Sequence, residues 1–424
     1  MINSCKLSNG AQLVVEDIPF LQSAAVGVYI RVGSRHEPSN LAGASHLIEH
    51  MLFKGTPTRN AREIAESLEI MGGQLNAYTG KEYTCIYART LDEDIYEAMD
   101  IIFDMLFNSS LVSNDLDVER NVVIEEINTY EDTPDELIHD VFARKFWDGH
   151  PMGNSILGTL ESVGGMKRDD LYAYYKEYYV PANMVVALAG NLDQIKVKEY
   201  VEGILDSHQG PPPQFMAEKP CQYQAFLDLV PKEVEQIQIC LGVPGSSYHD
   251  EDRYTLTVMN SILGGGMSSR LFQKLREELG LAYSVYAYPA NYSDTGLVNI
   301  YIGTSQARVE QFCAVLYEQL EQFSRWGVTE EEIYRTRKLT KSSIALSLES
   351  VMNRMTRLGK TVLMYDRVIT PDEAIAKVNG VTANMVQDMA ERIFRPELFS
   401  LAAIGDKEVL PLVEQEFQKW WGKR

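Results

Sequence analysis

Ala25-Val-Gly-Val-Tyr-Ile-Arg-Val-Gly-Ser34 reads as a buried strand ending at a glycine turn, and Gln236-Ile-Gln-Ile-Cys-Leu-Gly-Val-Pro-Gly-Ser246 has the same shape. A second matched pair lies downstream. Tyr179-Val-Pro-Ala-Asn-Met-Val-Val-Ala-Leu-Ala-Gly190 has its counterpart in Phe394-Arg-Pro-Glu-Leu-Phe-Ser-Leu-Ala-Ala-Ile-Gly405. Gly33 to Gly190 is 157 residues, and Gly245 to Gly405 is 160. Two anchors at nearly equal spacing indicate a duplicated domain. Between the anchors each half alternates strands with long helical runs. The expected class is therefore α+β, two homologous domains, each a mixed or antiparallel sheet layered against helices. The join falls at Ser207-His-Gln-Gly-Pro-Pro-Pro213 and the residues just after it, a proline-rich, loop-like segment. That gives an N-terminal domain over 1–210, a linker over 211–223 and a C-terminal domain over 224–424.

Composition agrees with this division. A chain of 424 residues is too long for one ordinary core, and 45% hydrophobic with 23% charged residues is a soluble globular balance. No basic region followed by an apolar run opens the chain, and no apolar stretch approaches membrane-spanning length. The expectation is a cytoplasmic protein with no membrane partner. Cys5, Cys85, Cys221, Cys240 and Cys313 are odd in number and form no CxxC pair. They read as reduced structural thiols. With 39 basic and 60 acidic residues the net charge is −21, which argues against nucleic acid as a partner, because phosphate binding needs clustered Lys and Arg.

The two halves differ where chemistry is concerned. The first contains His46-Leu-Ile-Glu-His50 within an apolar run at helical spacing. On a helix, residues four apart lie about 40° apart around the axis, so His46, Glu49 and His50 project from one sector. Two imidazoles there can hold a metal, and the carboxylate between them can reach a water on it. The order is the inverted zinc motif His-x-x-Glu-His. Taken alone, the string serves a hydrogen-bonded cluster equally well, and it needs a third ligand.

Asp115-Leu-Asp-Val-Glu-Arg-Asn-Val-Val-Ile-Glu-Glu-Ile127 reads as a second helix, with Asn114 or Asp115 as N-cap. Glu119 and Glu126 are two turns apart and share a face with Val122 and Val123 between them. Carboxylates on an apolar stripe are costly to bury unless paired or bound to metal. Glu126 is therefore the candidate third ligand, and Glu119 a carboxylate behind a ligand histidine. Glu125 points about 120° away and is solvated.

His46-Leu-Ile-Glu-His-Met-Leu-Phe-Lys-Gly-Thr56 resembles the active-site helix of the M16 metallopeptidases, the family of pitrilysin, insulin-degrading enzyme and mitochondrial processing peptidase. Glu126 follows His50 by 76 residues and Glu119 stands seven before it, where that family has its glutamate ligand and a further functional glutamate. Leu7-Ser-Asn-Gly-Ala-Gln-Leu-Val-Val15 is similar to the family's opening hairpin. The resemblance covers nearly the whole chain and implies the two-domain fold shared by LuxS and the processing peptidases. It further implies one zinc ion per subunit on His46, His50 and Glu126, with Glu49 as general base and Glu119 in support.

In the second half, Tyr254-Thr-Leu-Thr-Val-Met-Asn-Ser-Ile-Leu263 stands where the first half has its zinc helix, with no histidine or glutamate. The run Gly264-Gly-Gly-Met267 is not a phosphate loop, because no Gly-Lys-Ser/Thr comes after it. It reads as a turn beside a packed helix. Arg276 and Tyr283 are seven apart and resemble the M16 Arg-Tyr pair that contacts substrate. By that resemblance Tyr283 donates to a developing oxyanion and Arg276 orients substrate or tyrosine. Asn76, Ala77 and Tyr78 lie in Gly72-Gly-Gln-Leu-Asn-Ala-Tyr-Thr79, which is either an ordinary hairpin strand or, by resemblance, the sheet edge that pairs with substrate.

The implied function is a zinc endopeptidase for extended, unfolded peptides. The chain has half the length of the long M16 enzymes yet carries both the zinc and the Arg-Tyr motifs. A homodimer enclosing a chamber is thus expected, each zinc site completed by the partner's Arg-Tyr pair. The competing functions are a non-catalytic M16-like scaffold and a metallohydrolase with a non-peptide substrate.

Overall fold

The inner strands of this chain, such as Ser23–Ile30, Met184–Gly190 and Ser400–Gly405, are near-continuous apolar runs, as expected when both faces of a sheet are covered. In the computed structural model, which describes residues 1–208, 210–215 and 221–422 (the side chain of Leu68 apart), these runs form two sheets. Residues 216–220 of the expected linker 211–223 lie outside the described residues. Two compact units result. One comprises Met1–Asn128, Asn154–Glu218 and Ile344–Thr370; the other comprises Thr129–Gly153, Lys219–Ser343 and Pro371–Arg424.

The first unit contains β1 (Ile2–Lys6), β2 (Gln12–Asp17), β3 (Ser23–Ile30), β4 (Gln74–Thr79), β5 (Thr84–Leu91) and β6 (Met184–Gly190), in the order β1-β2-β6-β3-β5-β4. The second contains β7 (Leu227–Pro231), β8 (Gln236–Pro244), β9 (Ser284–Asn291), β10 (Gly296–Ser305) and β11 (Ser400–Gly405), in the order β7-β11-β8-β10-β9. Each sheet has one parallel pair, β2 with β6 between antiparallel neighbours in the first, and β7 with β11 at the edge of the second, where β11 continues into antiparallel β8. The repeat seen in the sequence is thus a repeat of strand order, with β3 matched to β8 and β6 to β11. Gly33 and Gly245 end the matched strands for one reason. A Cβ there would lie 2.2 Å from the Gly80 carbonyl oxygen or 2.8 Å from the Leu297 carbonyl carbon.

Five helices frame the candidate site and the sheet faces: α1 (Ala44–Leu52), α2 (Ser113–Glu131), α3 (Pro134–Phe146), α4 (Arg253–Gly264) and α5 (Val351–Tyr365). One face of the first sheet packs its alternate side chains with Leu47 and Met51 of α1 and with Ile102, Leu171 and Val197 of further helices. The other face buries Val14, Tyr29, Val185 and Ala187 under Met355, Leu358 and Val362 of α5. In the second unit α4 lies within the larger core, while Ile138, Val141 and Phe142 of α3 cover Cys240, Tyr301 and Ala402 on the other face.

The compact units therefore differ from the contiguous halves 1–210 and 224–424 by an exchange. Segment 129–153 of the first half joins the second sheet, and segment 344–370 of the second half joins the first. A smaller difference concerns the start of α2. Its first i→i−4 bond runs from Leu116 N–H to the Val112 carbonyl, so the helix begins at Ser113, ahead of a cap at Asn114 or Asp115. Val112 has no side-chain acceptor, and Leu116 in the first turn is buried.

Candidate metal centre

Helix α1 begins without a Ser, Thr, Asp or Asn at its N-cap. Gly43 occupies that position at φ +91°, where a Cβ would lie 2.7 Å from the Leu157 carbonyl oxygen. The amides at the helix start need acceptors, and Glu37 supplies them from the preceding loop. Its two carboxylate oxygens accept from Gly43 N–H and Ser45 N–H, each at 2.7 Å. Burial raises the Glu37 carboxyl to about 7, although both amide donors act against that rise. The helix start is tied further by Ser45 Oγ and Tyr174 Oη at 3.0 Å.

Leu47, Ile48, Met51 and Leu52 of α1 point into the core, which turns His46, Glu49 and His50 toward α2. Helix α2 is held by Leu116, Val123 and Ile127, with Glu119 buried on the same side, while Val122 is exposed. The face between the two glutamates is thus less apolar than the sequence spacing suggests, and Glu126 keeps 45% side-chain exposure.

The three candidate ligands converge. His46 Nε2 and His50 Nε2 each lie 3.7 Å from Glu126 Oε2, and one donor atom from each of the three residues falls within 4.8 Å of the others. Zinc bound tetrahedrally at 2.0–2.1 Å sets its donors about 3.4 Å apart, so two imidazoles and one carboxylate at this spacing fit zinc, with a fourth position open. His50 Nδ1 is 3.1 Å from Glu119 Oε2, and Lys54 Nζ is 2.6 Å from Glu119 Oε1. The buried Glu119 can fix the His50 tautomer with Nε2 free for a metal, while Lys54 balances its charge. Burial, then the neighbouring His50, lowers His46 to about 4, which keeps its imidazole neutral and able to ligate. Its Nδ1 is buried and has no hydrogen-bond partner among the described residues.

Glu49 leaves the ligand set and is held from the sheet. Thr79 Oγ1 donates to Glu49 Oε2 at 2.5 Å. Burial raises the Glu49 carboxyl, the Thr79 and His50 contacts lower it, and Glu126 raises it again. A carboxylate beside a metal-sized cluster, with its pKa raised above the ordinary carboxylate range, suits proton transfer.

Asn76, Ala77 and Tyr78 lie on β4, the outermost strand of the first sheet. Their side chains alternate. Ala77, with Leu75, packs in the core shared with α1, whereas Tyr78 packs on the α5 face beside Tyr83 and Tyr87. Arg276 and Tyr283 lie in the second unit. Arg276 is near the end of a π-helical turn, Phe272–Glu278, a distortion often found at functional sites. Its guanidinium stands 4.9 Å from the Phe272 ring and 5.7 Å from that of Tyr283, which is 70% exposed. Gly264–Met267 line one recess together with Phe272 and Arg276. Glu37, Lys54 and Thr79 are additions that sequence spacing did not single out, since each acts across a distance in the chain set by folding.

Comparison with known proteins covers both halves. The insulinase (peptidase family M16) model matches residues 12–160, and the peptidase M16 inactive domain model matches residues 165–340. The uncharacterized zinc protease YmxG of Bacillus subtilis is 41% identical, over 97% of this chain and 100% of its own length. An uncharacterized zinc protease of Streptomyces coelicolor is 37% identical over 95% of this chain and 90% of its own. Among solved structures, a peptidase M16 inactive domain from Pseudomonas fluorescens superposes with TM-score 0.90 at 18% identity, covering 96% of this chain and 98% of that one. A protease from Helicobacter pylori superposes with TM-score 0.88 at 20% identity, covering 95% and 99%.

Proposed function

The chain belongs to peptidase family M16, and from that premise we propose that it is a zinc-dependent endopeptidase acting on extended, unfolded peptides. The observation that carries this reading is the convergence of His46, His50 and Glu126 donors within 4.8 Å of one another. These residues would hold zinc, which when bound supplies Lewis acidity toward the scissile carbonyl and lowers the pKa of a water to about 7.

The remaining chemistry belongs to the chain. The Glu49 carboxylate takes the proton released as water attacks the carbonyl carbon, then delivers it to the leaving amide nitrogen. The C–N bond breaks, giving a new carboxylate and a free amine. The open edge of β4 offers backbone groups to an extended peptide. The exposed hydroxyl of Tyr283, ordered by Arg276, is suited to donate to the oxyanion. The resemblance to half-length family members supports a homodimer in which Arg276 and Tyr283 serve the partner's zinc site. An odd number of cysteines with no CxxC pair supports a reducing, cytoplasmic setting. Among the described residues, no helix is long and apolar enough to cross a membrane.

Metal analysis of the purified protein, with cleavage of a quenched peptide library with and without chelator, tests the reading. Zinc near one per chain and chelator-sensitive cleavage, lost in Glu49→Gln, are expected. Stoichiometric metal without peptide cleavage would favour a non-peptide metallohydrolase. Absence of bound metal would favour a scaffold.

A further inference from the structure

We propose that Thr79 is a positioning residue that couples the open edge of the first sheet to Glu49, an inference that rests on the peptidase reading of that site. Among the described residues, strand β4 pairs with β5 alone. At the hairpin end Gly80 N–H donates to the Tyr83 carbonyl, 2.8 Å, whereas Ala77 N–H donates to its neighbour's Asn76 Oδ1, 2.8 Å. In an antiparallel pair the hydrogen-bonding direction alternates residue by residue. Ala77 and Thr79 therefore turn their backbone N–H and C=O groups to the open edge, while Asn76 and Tyr78 face β5.

The same two residues direct their side chains to the α1 face of the sheet. Ala77 contributes only a methyl group to the core there. Thr79 contributes a hydroxyl, and that hydroxyl donates to Glu49 Oε2 at 2.5 Å. One oxygen of Glu49 is thereby engaged by the strand, and Oε1 remains to take a proton. A peptide added to the edge bonds the backbone of Ala77 and Thr79, so the residue that receives substrate also aims the base. The scissile bond and the Glu49 carboxylate are placed against one common strand, and an error of about 1 Å between such groups can cost about a hundredfold in rate.

Thr79→Val removes the donor with little change of shape, and Thr79→Ser restores it. On a quenched extended peptide, Thr79→Val is expected to lower kcat roughly tenfold to a hundredfold. KM should stay within about twofold, since only transition-state alignment is lost, and zinc content and Tm should be unchanged. Thr79→Ser should recover most of the activity. Unaltered kcat in Thr79→Val, a change confined to KM, or equal losses in the Val and Ser variants would overturn the proposal. Crystal structures of wild type and Thr79→Val supply a readout independent of turnover. If the wild type cleaves no peptide, the peptidase reading fails. If the Glu49 carboxylate keeps its position without the Thr79 hydroxyl, the Thr79 proposal fails.

Discussion

The side chains at the centre are held by named neighbours, and those neighbours make the site testable residue by residue. Glu119 is buried between His50 Nδ1 and Lys54 Nζ. Replacing it by Gln keeps the shape but removes the charge that strengthens His50 as a ligand. Zinc affinity, measured by competition with a chromophoric chelator, should fall roughly tenfold to a hundredfold. Lys54→Met should do less, since it leaves the His50 contact in place. Stability of the chelated protein should depend on pH through histidines lowered by burial and carboxyls raised by it. Burial holds His36 and His46 at about 4, below the ordinary 6.5. Their contribution is complete above pH 6.5 and declines as pH falls toward 4, because the unfolded chain binds the protons first. Glu37, raised to about 7 from 4.5, acts oppositely; its contribution is complete below 4.5 and lost as pH rises through 7. Burial also lowers His139 and His208 and raises Glu49, so four histidines stand against two carboxyls; the urea midpoint should rise between pH 4.5 and 6.5, and Glu37→Gln should steepen that rise. A flat profile in both proteins would contradict these assignments.

Between elements, the closest fit in the first unit is α5 against β3. A Cβ on Gly359 would lie 2.1 Å from the fully buried Tyr29 ring, and one on Gly27 would lie 2.4 Å from Met355 Sδ. Ala normally gains about 1 kcal/mol over Gly inside a helix. At Gly359 that gain is outweighed by overpacking, which costs roughly 1–3 kcal/mol. Gly203, in the exposed part of helix Gln194–Leu205, has nothing among the described residues within 4 Å of its Cβ position. Gly359→Ala should lower stability and Gly203→Ala should raise it, both read from urea unfolding. The ionic contact of Arg354 with Glu16 on β2, 2.7 Å, fixes the same helix along its length.

For the whole molecule, the exchanged segments mean that neither half of the chain contains a complete unit. Residues 1–210 alone lack α5 and leave Val14, Tyr29, Val185 and Ala187 uncovered. That fragment should bind an apolar dye and melt without cooperativity, and fusing residues 344–370 to it should restore a cooperative transition. A cooperatively folded 1–210 would show that the second face needs no cover. The homodimer proposal has its own test. His50→Ala and Arg276→Ala, each inactive alone, should recover activity when their subunits are exchanged, because one mixed site is intact. No recovery despite exchange would exclude completion in trans.

The sequence by itself determined the duplication, the helical register of His46, Glu49 and His50, and the two-turn spacing of Glu119 and Glu126. These depend on periodicity, which a linear chain carries in full. Matched anchors at Gly33 and Gly245 were legible because close backbone approach admits only glycine there. The exposure of Val122 was not legible, since spacing tells which residues share a face and not what covers it. Tertiary structure alone decided that α3 and α5 cross to the other half's sheet. It also decided that Glu37 caps α1 and that Thr79 reaches Glu49 from 30 residues away. Each of these depends on which surfaces meet once burial is maximised across the chain, a condition that no local pattern encodes.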